Sequence, residues 1–317
     1  TFYLNTYCVT AASFIPSQLS QLDNTLPHYM RVMTIGGGTP SQNHIDLFSP
    51  SYKLLFAYGP TECTVCTTMY DVTPSGSSNK TIGRPISNVK TYVLNEESSL
   101  LAIGVSGELY ISGSCLARGY LNHSSITAEK FIANPFASEE DKKLGRNLRL
   151  YKTGDLVRWL PDGNLEFMGR IDDQVKIRGF RIELGEIESV LSKHSDVSQC
   201  VVLAKGEGQD NKLVAYVVNG ADKEFDQTSM RTFLKEQLPE YMIPSFFIPM
   251  DSLPLNRNGK IDRKLLPMSD DYVINQSLHA EKCTNDHEYR LLQLWKEVLN
   301  VQRISLEDSF FEVGGHS

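Results

Sequence analysis

The 317-residue chain contains no run of about 20 apolar residues, the length a helix needs to cross a bilayer, so nothing in it reads as a membrane span. It also has no long basic run. Its 31 Lys and Arg stand against 38 Asp and Glu, a net charge of −7. Neutralising nucleic-acid phosphates takes clustered cations, so nucleic acid is not an expected partner. Cysteine is sparse, six residues in all and scattered. Cys63 and Cys66 form one CxxC, but the second pair that a zinc site needs is missing. A chain of this size does not call for a disulfide framework, and reduced thiols in a cytoplasmic protein are the expectation. There is no internal repeat and no signal-peptide pattern. The chain begins at Thr1 and ends at Ser317, and it reads as an excerpt of a longer protein.

A hydrophobic content of 41% supports real cores, and the length suits two domains and part of a third. Residues 1–171 read as mixed strand and loop with a few helices. Apolar runs such as Val89–Leu94 and Leu109–Ile111 are punctuated by Gly and Pro. Asp71–Lys80, rich in Ser, Pro and Gly, and the charged stretch Ser138–Arg149 read as exposed loops. A second unit starts near Asp172. Within Gln174–Glu183 the alternation of Val175, Ile177, Phe180 and Ile182 changes face at Gly179, which predicts a bulge or tight bend there. Leu184, Ile187, Val190 and Leu191 recur at helical spacing. Val197–Ala204 and Lys212–Val218 are expected strands around the turn Lys205–Asn211. Met230, Phe233, Leu234 and Leu238 form a second helical stripe that Pro239 should end. Strand, helix, strand, strand, helix describes a small α+β domain over 172–267. Residues 268–283 lack periodicity and read as a linker. Asn285 with Glu288 predicts a helix cap. Leu291, Leu292, Trp295, Val298 and Leu299 would face inward on a helix running to about Asn300, too little by itself to close a core.

Six short motifs punctuate this framework in order: Tyr58-Gly59-Pro60-Thr61-Glu62, Gly107-Glu108-Leu109, Ala117-Arg118-Gly119-Tyr120, Tyr151-Lys152-Thr153-Gly154-Asp155-Leu156, Gly169-Arg170-Ile171-Asp172-Asp173-Gln174 and Asn258-Gly259-Lys260-Ile261-Asp262-Arg263. Gly314-Gly315-His316-Ser317 closes the chain. Each is an ordinary turn when met alone; Asn-Gly-Lys, for example, is a common turn signal. The ordered set resembles the adenylation domain of a nonribosomal peptide synthetase, within the ANL superfamily of adenylate-forming enzymes, followed by the start of its peptidyl carrier domain. The resemblance covers nearly the whole chain. It implies an α/β part for residues 1–171 (the C-terminal part of the large adenylation subdomain) and an α+β lid for 172–267. After the linker, 284–317 would be the first part of a helical carrier domain.

What the resemblance implies is ATP-dependent, AMP-forming activation of an amino acid, then transfer to a thiol. Both steps develop charge on oxygen, where positioned cations and dipoles matter most. Lys260, a compact charge on a flexible stem, would follow the reacting carboxylate and phosphate. Asp155, with two acceptor oxygens, would hold the ribose diol. Tyr58 would lie against adenine and Thr61 near the phosphates, with Phe167 and Arg170 as further nucleotide contacts. Glu62 would help hold Mg²⁺, a hard oxygen ligand for a hard cation. Asp172 would be the hinge of the lid. Ser317 would take the 4′-phosphopantetheine arm from a phosphopantetheinyl transferase. An alternative Ser–His catalytic pair at 316–317 has no nucleophile elbow around it.

The same resemblance assigns Ser13, Thr34, Gly36, Ala57, Val65 and Cys66 to the walls of the acyl pocket. None is charged, so a charged substrate side chain would be left unpaired. A neutral, aromatic amino acid is the expectation. Gly36-Gly37-Gly38 invites a phosphate-loop reading, but Thr39-Pro40 follows in place of Lys-Ser/Thr. The family's own phosphate loop would lie before Thr1, so this excerpt alone is expected to be inactive. Two departures stand out: Phe56 where the family usually has Asn, and Cys115 where it usually has Gly. Two rival readings remain. One is a stand-alone acyl- or aryl-CoA ligase of the same superfamily, which would have no use for a Gly-Gly-His-Ser tail. The other is a non-catalytic remnant serving as an interaction scaffold.

Overall fold

The computed structural model describes residues 2–19, 22, 28–72, 78–177, 179–206, 211–221, 223–256, 261–267, 285–299 and 306. Lys260, Ser317 and the linker expected over 268–283 lie outside them. Backbone packing divides the chain into two compact units, Thr1–Phe180 and Arg181–Ser317.

The first unit is built on one ten-stranded mixed sheet. Its first three strands, β1 (Ala11–Phe14), β2 (Val32–Gly36) and β3 (Lys53–Tyr58), are parallel. Two short helices, α1 (Phe2–Thr6) and α2 (Pro16–Leu19), flank β1 in sequence. Alternation decides which residues go where. Met33 and Ile35 of β2 and Leu54 and Phe56 of β3 are buried in one core with Ile45 and Phe48 of α3 (Gln42–Phe48). The helix starts where it does because the Ser41 hydroxyl accepts from the His44 amide at 3.3 Å. The intervening residues Ser13, Thr34, Gly36 and Ala57 then share the other face. Ser13 pairs with Thr34 and Gly36 with Ala57 in register.

Beyond β3 the sheet continues antiparallel through β4 (Thr68–Val72) and β5 (Thr81–Pro85) to β10 (Leu165–Arg170), then β9 (Arg149–Trp159), β7 (Gly107–Gly113) and β6 (Val89–Leu94). Strand β8 (Phe131–Ala133) adds to β9, after α4 (Ser124–Lys130). Leu109, Ile111, Tyr151, Val157 and Leu165 alternate into a second core, which Cys63 and Phe131 join.

The charged stretch Ser138–Arg149 is largely exposed, as expected, but it is not all loop. It forms α5 (Glu139–Lys143) before entering β9, and Asp141 within it is buried. Its carboxylate accepts from Lys90 Nζ at 2.7 Å, Asn147 Nδ2 at 2.8 Å, Ser138 Oγ at 2.9 Å and Arg146 Nε at 3.0 Å. Lys90 lies on β6, far away in sequence, so no local pattern could announce the pairing. These donors, Lys90 first, hold the Asp141 carboxyl well below the ordinary carboxylate range. A depressed folded-state value stabilises the fold above the unfolded value of about 4, and that contribution is lost as pH falls through the folded value. Asp141→Asn is therefore expected to lower Tm at neutral pH and to flatten the acid limb of Tm against pH below about 4. Thermal melts of both proteins check this. Parallel acid limbs would remove Asp141 as their source.

Strands β11 (Val175–Ile177) and β12 (Phe180–Ile182) form a separate two-stranded sheet around Gly179, whose φ is +82°. The bend predicted at this glycine is present, and the division between the two compact units falls just after Phe180. The second unit follows with α6 (Leu184–Leu191), which buries Leu184, Ile187 and Leu191, and with the antiparallel pair β13 (Val197–Lys205) and β14 (Lys212–Asn219). Helix α7 (Gln227–Lys235) is capped by Asp226, which accepts from the amides of Thr228 and Ser229. Its last turn loosens before Pro239, although the Leu238 amide still donates to Leu234 O at 2.8 Å. A third strand, β15 (Phe246–Pro249), pairs parallel with β14 at the sheet edge. Sequence patterning missed it because four residues ending in proline show no alternation to speak of; an edge position tolerates the proline. Val201, Val214, Tyr216, Ile248, Leu253 and Leu266 fill this core.

Helix α8 (Asp286–Leu299) is capped as expected: Asn285 Oδ1 accepts from the amides of His287 and Glu288, each at 3.0 Å. Leu292 is buried, but Leu291 is 49% exposed, contrary to the inward placement expected for both. Consecutive helical residues point about 100° apart, so one narrow stripe cannot bury the two equally.

Candidate nucleotide-binding and activation site

Asp155 of β9 and Arg170 of β10 are register partners in the sheet, which sets their side chains opposite one another. Asp155 Oδ1 accepts from Arg170 Nη1 at 2.5 Å. Its Oδ2 accepts from the hydroxyl of Tyr58, at the end of β3. Arg170 turns its fork the other way as well, with Nε and Nη2 donating to Asp172 at 2.6 and 2.7 Å, and Nη2 to Thr153 O at 3.1 Å. The guanidinium is only 12% exposed and the Asp155 carboxylate 8%. Planar bidentate pairing of this kind is beyond lysine.

Gly154 makes the arrangement possible in two ways. Its φ of +72° is one that residues with a side chain rarely adopt. A Cβ there would also lie 2.7 Å from Asp172 Oδ2 and 2.9 Å from Arg170 Nη2. The Gly154 amide donates to Glu108 Oε1 at 3.0 Å, and the Thr153 hydroxyl to Leu109 O at 2.8 Å. The Gly-Glu-Leu motif thus serves to anchor the Thr-Gly-Asp motif.

Burial, with the Asp155 charge adding to it, pushes the Tyr58 phenol well above its ordinary value, so Tyr58 remains a neutral donor. Lys176 Nζ sits 5.8 Å from the Tyr58 ring centroid. Burial raises the Asp172 carboxyl, but the hydrogen bonds and charge of Arg170 outweigh it and leave the group below its usual value. Four expected site residues, Tyr58, Asp155, Arg170 and Asp172, are therefore one hydrogen-bonded cluster. Phe167 packs, half-buried, against the second core, and its amide donates to Lys80 O at 2.9 Å.

The chain after Tyr58 makes a tight 3₁₀ turn at Thr61–Cys63. Glu62 is 8% exposed, and its Oε1 accepts from Tyr120 Oη at 2.5 Å. Its backbone carbonyl accepts from the Ala117 amide at 2.8 Å, and Thr64 Oγ1 donates to Cys115 O at 2.7 Å. Thr61 is exposed beside it. Thr64 and Val65 have φ of 54° and 70°, two adjacent β-branched residues in the left-handed region. Such a conformation is costly and persists only where its surroundings impose it. Here the Cys66 amide bonds Thr64 O at 2.9 Å and the Thr67 amide bonds Tyr58 O at 2.8 Å, closing the loop on itself. Gly59 is required at its neck, since a Cβ there would meet Val65 O at 2.4 Å.

Cys115 is not among the residues with positive φ, so the glycine usual at that position is not demanded by the backbone here. Its thiol is hydrogen-bonded with that of Cys63, which lowers its pKa. Phe56, the other departure, points away from the polar face and is 5% exposed in the core with Ile35 and Met33.

Of the six proposed pocket residues, Ser13, Thr34, Gly36 and Ala57 occupy one face of adjacent strands β1–β3, near their C-terminal ends. Open parallel sheets bind ligands at that end. Val65 is exposed and Cys66 half-buried on the strained loop. Burial raises the Cys66 thiol, so it is a small neutral wall, not a nucleophile. Gly37 is left-handed at φ +77° against Ile15, which serves the strand-to-helix turn.

No group of three or more His, Cys, Asp or Glu gathers among the described residues as a metal cage. Mg²⁺ does not need one, because it binds through one or two carboxylates, waters and substrate phosphates. Glu62, a buried carboxylate with one oxygen already oriented by Tyr120, fits that requirement.

One constellation in the second unit imitates a catalytic pair. His194 Nε2 lies 3.1 Å from Ser229 Oγ, but His194 Nδ1 accepts from the Asp196 amide at 3.3 Å. The ring proton is then on Nε2 and points at the serine, the reverse of what a general base needs.

A large mixed sheet followed in sequence by a small α+β unit is the architecture of the adenylate-forming enzymes. Comparison with known proteins carries this further. The AMP-binding enzyme family matches residues 3–121, and the AMP-binding enzyme C-terminal domain matches residues 186–260. Bacitracin synthase 3 of Bacillus licheniformis is 43% identical over 100% of the chain, and gramicidin S synthase 2 of Brevibacillus brevis is 48% identical over 82%. The chain spans 5% of the length of the first of these relatives and 6% of the second. A solved structure of a holo NRPS protein containing adenylation and PCP domains, bound to a vinylsulfonamide inhibitor, superposes with a TM-score of 0.76 at 26% identity, over 99% of this chain and 51% of that one. The chain belongs to the adenylation domains of the nonribosomal peptide synthetases. No helix among the described residues is long and apolar enough to cross a membrane.

Proposed function

We propose that the protein carrying this chain joins an amino acid to AMP and passes the acyl group to a carrier thiol. In the first step a carboxylate oxygen attacks the α-phosphorus of ATP and pyrophosphate leaves. In the second, the acyl group passes from the adenylate to a carrier thiol and AMP leaves; Ser317 would hold the phosphopantetheine arm that supplies this thiol. The observation that carries this reading is the cluster of Tyr58, Asp155 and Arg170: three motif residues from three strands, joined by hydrogen bonds in a buried setting.

In this reading Asp155 holds the ribose diol while Tyr58 and Arg170 fix its carboxylate. Tyr58 lies against the adenine, Thr61 approaches the phosphates, and Phe167 and Arg170 are further nucleotide contacts. Mg²⁺, when bound, would neutralise phosphate charge, with Glu62 as its protein ligand. Lys260 would bridge substrate carboxylate and phosphate. Asp172 would be the hinge between a large part over 1–171 and a lid over 172–267, followed by a linker over 268–283 and a carrier segment over 284–317. Neighbouring synthetase domains and a phosphopantetheinyl transferase would be partners, in the cytoplasm.

The pocket walls are small and uncharged, which supports a neutral, aromatic amino acid. ATP–pyrophosphate exchange over a panel of amino acids, on the full-length protein, tests the reading. Exchange led by an aromatic amino acid is expected. A charged amino acid as the best substrate would overturn the pocket assignment, and no exchange with any amino acid would overturn the activity.

A further inference from the structure

We infer that Tyr120 is a positioning residue for Glu62. The inference rests on the proposed role of Glu62 at the metal–nucleotide site and adds a residue to it. The geometry is specific. Tyr120 Oη donates to Glu62 Oε1 at 2.5 Å, a short charge-assisted bond to a carboxylate that is almost wholly buried.

Tyr120 is itself held at three points. Its amide donates to Thr127 Oγ1 at 2.9 Å, the same hydroxyl faces its carbonyl at 3.4 Å, and its ring meets Phe131 edge-on at 5.8 Å. Gly119 lets the chain come this close, since a Cβ there would lie 2.4 Å from Thr127 Cγ2. The segment before it is fastened too. The Ala117 amide bonds Glu62 O at 2.8 Å, and Arg149 donates to Ala117 O and Arg118 O at 2.8 and 3.0 Å. The Ala-Arg-Gly-Tyr motif thus grips Glu62 by both backbone and side chain.

The chemistry follows from this grip. A Glu side chain has three rotatable bonds, and a single carboxylate serving Mg²⁺ binds well only if it is aimed before the metal–nucleotide arrives. Tyr120 fixes one oxygen, and with it the plane of the carboxylate. Partners that orient a metal ligand in this way typically contribute about 10–100-fold in metal affinity or activity.

The test uses the full-length protein and three variants, Tyr120→Phe, Glu62→Gln and the double variant. Tyr120→Phe keeps the ring on Phe131 and removes only the hydroxyl. Mn²⁺ serves as the probe in the presence of ATP, with bound and free ion separated by electron paramagnetic resonance. Tyr120→Phe is expected to weaken Mn²⁺ binding about 10-fold. It should also raise the Mg²⁺ concentration at half-maximal pyrophosphate exchange, with most of the rate regained at saturating Mg²⁺. Once Glu62→Gln is in place, adding Tyr120→Phe should cost nothing further, because a residue that acts only through another is non-additive with it. Thermal melts of each variant check that the fold is intact.

Wild-type Mn²⁺ affinity in Tyr120→Phe, with Glu62→Gln impaired, overturns the inference and leaves the role of Glu62 standing. Additive losses in the double variant overturn it as well. Wild-type affinity in Glu62→Gln would instead remove the metal role of Glu62, and the inference with it.

Discussion

Arg170→Ala is expected to cost about 3–5 kcal/mol of folding stability and to abolish pyrophosphate exchange in the full-length protein. The first figure is what removing one partner of a buried ion pair typically costs, because the other charge is left without compensation. Here that charge is Asp155, 8% exposed, which would keep its bond from Tyr58, a neutral donor. Asp172 loses both of its bonds from the fork at the same time. Arg170→Lys separates charge from geometry. It keeps a cation near Asp155 but cannot span Asp155, Asp172 and Thr153 O together, so an intermediate loss is expected in both stability and exchange. Urea denaturation read beside nucleotide binding checks both statements. Arg170→Ala with near-normal stability would mean that the cluster is solvated and adaptable in solution, and the buried pair would not be what shapes the site.

The cluster also marks how far sequence reasoning reaches and where it stops. Tyr58, Asp155 and Arg170 are legible because each sits in a short motif whose order resembles a known family. What no motif announces is that they bond to one another. That follows from the register of β9 against β10 and from the sheet path that brings β3 across to them. Glu62 and Tyr120 both lie inside such motifs, yet their contact spans 58 positions. Asp141 and Lys90 are 51 apart, and the charged stretch around Asp141 reads as solvent-facing loop for that reason. Strand β15 escapes notice because a short edge strand needs its partner β14, not its own pattern, to be recognised. The helices and the β13–β14 hairpin, whose signals are local periodicities, come out close to their expected bounds. Local chemistry is readable, and distant pairing is not.

Lys260→Ala is expected to separate the two half-reactions. Lys260 and the three residues before it lie outside the described residues, but the chain on either side is pinned. Leu255 and Ile261 form an antiparallel bridge, and the Asp262 amide donates to Pro254 O at 2.8 Å. A compact charge on a flexible stem suits a group that must reach a substrate at one stage and leave it at another. If it bridges carboxylate and phosphate only while the adenylate forms, its contribution belongs to that transition state alone. Losing one such charge-assisted contact costs roughly 3–4 kcal/mol, or about 10²–10³ in rate. Lys260→Ala should therefore cripple pyrophosphate exchange by about that factor. Transfer from a supplied aminoacyl adenylate to the pantetheine thiol should stay largely intact. Asp172→Pro is the complementary variant: it fixes φ at the proposed hinge and should impair transfer more than adenylation. Single-turnover measurement of each step, in both variants of the full-length protein, decides between the outcomes. Equal losses in the two steps for Lys260→Ala would mean the lysine serves both transition states or only the fold, and the division of labour between two arrangements of the lid would have to be given up.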